Sequence, residues 1–219
     1  MKTFVIALRA TVVTLVLTGL VYPLVVTGLA QVLFPLRANG SMISDDKGQE
    51  LGSELIGQGF AAPGYFHPRP SASGYDAANS SGTNLGVTSK KLREGQVDDP
   101  ATKDVDESFT GVIDVAKAYR AENGLGDDVD IPADAVSRSA SGIDPDISPE
   151  NARLQIDRIA KARGVAPDRV RTILDQYSRG PQLGLLGEPR VNVLEVNLAL
   201  DRTFGAPAHA AADGSGPSR

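Results

Sequence analysis

The chain has no cysteine, no tryptophan and only two histidines, and aromatic residues make up 5% of its 219 positions. Without cysteine there are no disulfides, thiolate zinc sites, iron–sulfur clusters or cysteine nucleophiles. Two histidines leave little room for imidazole metal sites or catalytic dyads. A core poor in aromatics must be built from aliphatic side chains. Positive charge is also in deficit: 22 Lys and Arg against 27 Asp and Glu give a net of −5. That balance argues against nucleic acid, whose phosphates need a basic face. Neither G-x-G-x-x-G after a strand nor the phosphate loop G-x-x-x-x-G-K-[ST] occurs. What the chain has in excess is glycine, 23 residues, and proline, 14, so it is rich in turns.

One scarcity is local. All 27 acidic residues lie beyond position 36, and the first 36 positions carry only Lys2 and Arg9. Residues 10–36 are 27 consecutive uncharged positions. As a helix they would reach roughly 40 Å, more than the roughly 30 Å of bilayer hydrocarbon. A cleaved signal peptide is the competing reading, because Gly28-Leu29-Ala30 resembles a small-x-small cleavage site behind a basic start. The apolar run outlasts such a segment, continuing through Val32, Leu33 and Phe34. An uncleaved anchor is therefore expected, with residues 1–9 as a cytoplasmic N-terminus and 10–36 as a transmembrane helix. Two basic side chains flank it on each side, Lys2 and Arg9 before, Arg37 and Lys47 after. A short N-terminal flank usually stays in the cytoplasm, which puts the remainder outside. Within the anchor, Thr11, Thr14, Thr18 and Tyr22 form a weakly polar stripe suited to a partner helix, although such residues are also ordinary in membrane spans. Pro23 removes a backbone donor in mid-span and is a candidate kink.

From Arg37 on, 20 basic and 27 acidic residues give −7. Residues 37–205 read as one soluble α+β domain and 206–219 as a disordered small-residue tail. Residues 51–60 look strand-like, 61–90 form a long loop, and 98–107 form an acidic, mobile linker. A helix is predicted over Val112–Asn123, ended by Gly124. Ser148-Pro149-Glu150 opens another that runs to Arg163 before Gly164. A third starts near Pro167, with Val170, Ile173, Leu174 and Tyr177 at helical spacing. Residues 191–200 read as a strand running into a helix.

Three segments are candidates for chemistry. Asp46-Lys47-Gly48 superficially resembles the phosphorylation sequence of P-type pumps but lacks its threonine, and reads as a turn. Tyr65-Phe66-His67-Pro68-Arg69-Pro70 gathers two aromatics, a histidine and an arginine in a proline-stiffened segment, either a binding loop or a packed one. Ser139-Ala140-Ser141-Gly142-Ile143-Asp144-Pro145-Asp146-Ile147-Ser148 runs up to a helix N-terminus, where hydroxyls and amides can hold an anion or simply build turns and a cap. Its Asp144 and Asp146 would oppose a phosphate but could hold a cation. No residue set makes a self-sufficient hydrolase.

These pieces also fall in a recognisable order. Gly52-Ser53, Leu55-Ile56-Gly57-Gln58, Tyr65-Phe66, Arg69-Pro70-Ser71-Ala72, Tyr75, Ser81-Gly82 and Asn84-Leu85-Gly86 are followed by Ser139, Ser141-Gly142 and Asp144-Pro145. Then come Ile147-Ser148-Pro149, Gln155, Arg158-Ile159-Ala160, Gly187-Glu188-Pro189, Val191-Asn192-Val193-Leu194 and Asn197-Leu198-Ala199-Leu200-Asp201. Together they resemble the C subunit of Kdp-type potassium-transporting P-type ATPases, over the anchor and the domain to about Phe204. The resemblance implies a non-catalytic subunit in a bacterial inner-membrane pump for potassium uptake. Its partners would be a channel-like potassium-binding subunit and an ATP-hydrolysing subunit, with membrane lipid around the anchor and no firmly bound cofactor. Similar subunits are described as catalytic chaperones that raise the ATP affinity of the hydrolysing subunit. Carried over, the nucleotide-related positions are Ser139, Ser141, Gly142 and Gln155. Ser137, Arg138, Asp76 and Val87 depart from the family pattern, and 98–107 looks inserted.

The charge pattern disputes part of that implication. A domain outside the membrane cannot meet cytosolic ATP. It could instead cover the potassium entrance, its −7 modestly enriching cations within a Debye length of about 8 Å. A lone membrane-anchored binding protein or envelope enzyme is the reading from a different class.

Overall fold

The computed structural model describes residues 1–45, 47–97 and 108–207. The acidic stretch 98–107, Asp46 and the expected tail from 208 on lie outside them. The chain divides into two units, Met1–Ser53 and Glu54–Arg219.

The first unit is mostly one apolar helix, Lys2–Leu33, of 32 residues. It comprises α1 (Lys2–Val16), a single π turn (Leu17–Val21) and α2 (Tyr22–Leu33). At 1.5 Å per residue it reaches about 48 Å, enough to cross a bilayer. None of its three segments buries a side chain. Proline at position 23 cannot donate, and its ring crowds the carbonyl four residues back. The π turn takes up that mismatch: Tyr22 N–H reaches back to the Leu17 carbonyl, and the helix continues. It ends where Phe34, held out of the helical region at φ −140 by the proline after it, precedes the short α3 (Pro35–Ala38).

A small antiparallel hairpin completes this unit. β1 (Met42–Ser44) pairs with β2 (Glu50–Ser53), Met42 opposite Ser53, with a bulge between Ile43 and Ser44. Asp45 Oδ1 accepts from the Lys47 and Gln49 amides at 2.8 Å, which makes the turn expected at Lys47-Gly48. The strand predicted over 51–60 stops at Ser53. Beyond it the Gly57 amide donates to the Ile143 carbonyl at 2.8 Å instead of joining a ladder. Its backbone lies so close to Asp144 that a side chain there would strike the Asp144 carbonyl.

In the second unit residues 54–89 form neither helix nor strand. The elements that follow are α4 (Lys90–Glu94), α5 (Val112–Asn123), α6 (Ala133–Val136), β3 (Asp146–Ile147), α7 (Pro149–Arg163), α8 (Pro167–Tyr177), β4 (Ser178–Arg179), β5 (Arg190–Asn192) and α9 (Val193–Phe204). The helices begin and end as their sequences dictate. Ser148 Oγ accepts from the Asn151 amide at 3.1 Å, Pro149 occupies the first turn, and Gly164 closes α7 at φ +65. Gly124 closes α5 in the same left-handed conformation. Residues 191–200 are indeed a strand running into a helix, and Asn192 caps the change by accepting from the Glu195 amide.

The strands make a three-stranded antiparallel sheet in the order β3-β5-β4, with Ile147 opposite Val191 and Ser178 opposite Val191 on its other edge. α7 packs on α8 and α8 on α9, all three against β5. Ile156, Ile159, Val170, Leu174, Val191, Val196 and Leu200 close the core, with Phe66 also fully buried. The α+β expectation and the aliphatic core are both met.

Candidate functional site

A loop that crosses a core needs hydrogen-bond partners for its backbone, because buried amides and carbonyls without them are costly. Residues 63–70 are such a segment: Tyr65 and Phe66 are buried without belonging to any helix or strand. The partners come from side chains of α7 and α9. Asn197 on α9 accepts from the Phe66 amide at 2.8 Å and donates to the Phe66 carbonyl at 2.9 Å, as a neighbouring strand would. One residue on, Gln155 accepts from the His67 amide at 2.7 Å and donates to the His67 carbonyl at 3.2 Å. Both side chains are fully buried.

Two arginines finish the clamp. Arg158 donates to the Pro63 and Tyr65 carbonyls, to Gln155 Oε1 and to Asn123 Oδ1 at 2.7–3.0 Å. Arg163 donates to the Gly64 and Gly205 carbonyls and to Asp201, each at 2.7–2.8 Å, and lies over the Tyr65 ring. Tyr65 Oη donates to the other oxygen of Asp201 at 2.8 Å. Behind Gln155 the network continues through Asn151 Oδ1, which also accepts from Tyr119 Oη, and on to Asp134. Asn151, Gln155 and Arg158 lie on one face of α7, at i, i+4 and i+7.

The Ser139 segment closes against the far end of the same loop. The Ser139 amide donates to the Pro70 carbonyl at 3.1 Å, and Ser139 Oγ accepts from the Gly142 amide at 2.8 Å. Ser71 Oγ donates to the Gly142 carbonyl at 2.6 Å. Ser141 Oγ accepts from the Ile143 amide at 3.3 Å, and its carbonyl accepts from Ser80 Oγ. Gly142 sits at φ +72 against Ser73 and Ser81, where a side chain would have no room. The structure thus brings Ser139 and Gln155 onto one loop segment, at Pro70 and at His67. It leaves Ser139 buried and Ser141 half-exposed.

Of the loop candidates, Tyr65 and Phe66 are core, whereas His67 and Arg69 each reach a carboxylate. His67 Nδ1 lies 2.9 Å from Glu122 and Nε2 3.1 Å from the Ala62 carbonyl. The His67 hydrogen bond holds the Glu122 carboxyl below the usual range, against the opposing effect of desolvation, with the His67 and Arg158 charges adding to it. Arg69 Nη1 donates to Asp144 at 2.9 Å. Burial pushes the Tyr75 phenol up to about 12 and those of Tyr65 and Tyr119 higher still, so all three stay protonated at neutral pH. Arg69, Asp130, Asp134, Asp144, Asp146 and Glu188 line an open cleft of about 840 Å³. Desolvation raises the Asp146 carboxyl above its ordinary value despite Arg190 at 3.1 Å. Among the described residues no three carboxylate or imidazole side chains converge to hold a metal. In the first unit Thr11, Thr14, Thr18 and Tyr22 are all exposed, and Thr18 Oγ1 donates to the Thr14 carbonyl of its own helix at 2.8 Å.

Sequence reasoning singled out Gln155 but assigned no role to Asn197, Asn151, Arg158, Arg163 or Glu122. The signal for Asn197 is a lone amide on the apolar face of α9, between the buried Val196 and Ala199. That for Asn151 and Arg158 is their helical spacing from Gln155.

Known proteins share this chain over nearly its whole length. The family described as KdpC, the K+-transporting ATPase c chain, matches residues 4–202. A potassium-transporting ATPase KdpC subunit of Myxococcus xanthus is 53% identical over 217 residues, 98% of this chain and 94% of that protein. The subunit of the same name from Caulobacter sp. strain K31 is 50% identical, covering 89% of each chain. That of Mycobacterium bovis strain BCG / Pasteur 1173P2 is 46% identical over 90% of this chain and 96% of its own. With that coverage and the ordered motifs that build the clamp, the chain belongs to the KdpC family, the c chain of the K+-transporting ATPase.

Proposed function

We propose that this chain is an accessory, non-catalytic subunit of a potassium-uptake ATPase in a bacterial inner membrane. It is anchored once, with its N-terminus in the cytoplasm and its domain on the extracytoplasmic side. There it covers and stabilises the potassium-channel-like subunit, while the ATP-hydrolysing subunit carries the chemistry. The anchor helix supports single-pass attachment, and its stripe from Thr11 to Tyr22 is the surface offered to a partner helix. The diffuse acidity of the cleft, with no converging metal ligands among the described residues, suits mild cation enrichment rather than tight binding.

One observation favours the cover over an ATP-affinity chaperone. The polar atoms of Ser139 and Gln155 are committed to backbone groups of the loop and of their own turn. A nucleotide could reach them only by dismantling the clamp.

Sidedness tests the reading directly. The chain has no cysteine, so one introduced thiol is its only target. Ser89 caps α4 and is better left alone, whereas Val87 is 95% exposed. Val87→Cys should react with a membrane-impermeant maleimide in intact cells. Labelling only after the cells are opened would place the domain with cytosolic ATP and restore the chaperone reading.

A further inference from the structure

The connection from β4 to β5 contains Leu183, Leu185 and Leu186, which are 95%, 83% and 58% exposed. None of the three belongs to the core among the described residues. The loop itself is well tied: Gln182 and Leu186 exchange backbone hydrogen bonds at 2.8 and 2.9 Å, and the Leu185 amide donates to the Gln182 carbonyl at 3.1 Å. Leu183 and Gly184 occupy the left-handed region at φ +56 and +72, as a mirror-image hairpin turn requires. Glycine adopts that conformation freely and asparagine readily, but leucine does so at a cost. The fold therefore holds a bulky apolar side chain in a disfavoured conformation and gains no burial from it. Strain kept at an exposed position calls for a role outside the fold.

We propose that Leu183, Leu185 and Leu186 form a preformed apolar knob that seats in an apolar recess of another protein subunit of the pump. The residues around the knob favour protein over lipid. Segments that dip into a membrane surface rely on aromatic residues and on free Lys or Arg meeting anionic headgroups. Residues 178–190 contain no aromatic residue, and both of their cations are engaged: Arg179 with Glu195 at 2.7 Å and Arg190 with Asp146 at 3.1 Å. Among the described residues of this connection, the exposed Glu188 is the charge without an ion-pair partner, which an anionic lipid surface would repel and a neutral or cationic rim would accept. The tied backbone lowers the ordering cost of docking. This inference rests on membership in a multi-subunit pump and not on which side of the membrane the domain lies.

Two measurements on the full complex test it. With Leu185→p-benzoylphenylalanine, irradiation of membranes should yield a covalent adduct whose second member is another pump subunit by mass spectrometry. Adducts with lipid alone, or none, overturn the proposal. Leu183→Asn relieves the strained backbone while removing the apolar group. The thermal midpoint of the purified chain should hold or rise, while recovery of the other subunits on the tagged chain drops on the order of tenfold. Unchanged recovery overturns the proposal, as does a lowered midpoint, which would make the leucine a part of the fold.

Discussion

At Gln155 a single amide side chain accepts from the His67 amide and from Arg158, and donates to the His67 carbonyl and to Asn151. All its hydrogen-bonding capacity is used in a fully buried place. Gln155→Ala would strand at least two backbone groups of the loop, each worth about 1–3 kcal/mol when left buried and unpaired. The full chain in detergent should lose about 3 kcal/mol of unfolding stability, read as a lower urea midpoint with no nucleotide present. A midpoint within experimental scatter of the parent would mean that the amide serves a ligand and not the loop. The importance of Gln155 was legible in the sequence, but its role was not. A glutamine on a helix reads the same whether it faces a ligand or a loop distant in the chain.

Among the elements, α7 shows how far local sequence reaches. Its cap, first-turn proline and closing glycine set both ends, and the helix runs between the bounds those residues predict. What the cap also does is tertiary: Ser148 Oγ donates to Asp134 at 2.9 Å, and the Ser148 amide donates to the same carboxylate at 2.8 Å. Ser148→Ala should therefore cost more than the typical ~1 kcal/mol of a lost cap, about 2 kcal/mol. Ser148→Asp keeps a cap acceptor but sets a second carboxylate beside Asp134, so it should not rescue the loss in a urea titration. If Ser148→Asp restores the midpoint, the link to Asp134 carries no weight. The strand predicted over 51–60 ends early, at Ser53, for a complementary reason. Apolar residues broken by glycine fit a strand, but here the glycine at 57 serves the close approach to Asp144.

For the molecule as a whole, charge is the property most sensitive to its surroundings. The folded-state pKa of Glu122 is depressed from the ordinary 4.5, so its stabilising contribution is present above that value and disappears as pH falls through the lowered one. Its side chain is 43% exposed, so solvent screening keeps the contribution small. Glu122→Gln should narrow the loss of stability as pH falls from neutral, with the two proteins converging once the carboxyl is protonated in both the folded and the unfolded chain. Parallel pH profiles would exclude a His67–Glu122 contribution. By itself the sequence determined a long apolar N-terminal segment, the absence of thiol, imidazole-cluster and phosphate-loop motifs, both ends of α5 and α7, and the family pattern. These follow from composition and from interactions spanning a few residues. Only the tertiary structure decided that Ser139 and Gln155 hold one buried loop, that Asn197 substitutes for a missing strand, and that three leucines stand unburied on a tied hairpin. Each of those depends on which distant backbone group a side chain meets, and no local spacing encodes that meeting.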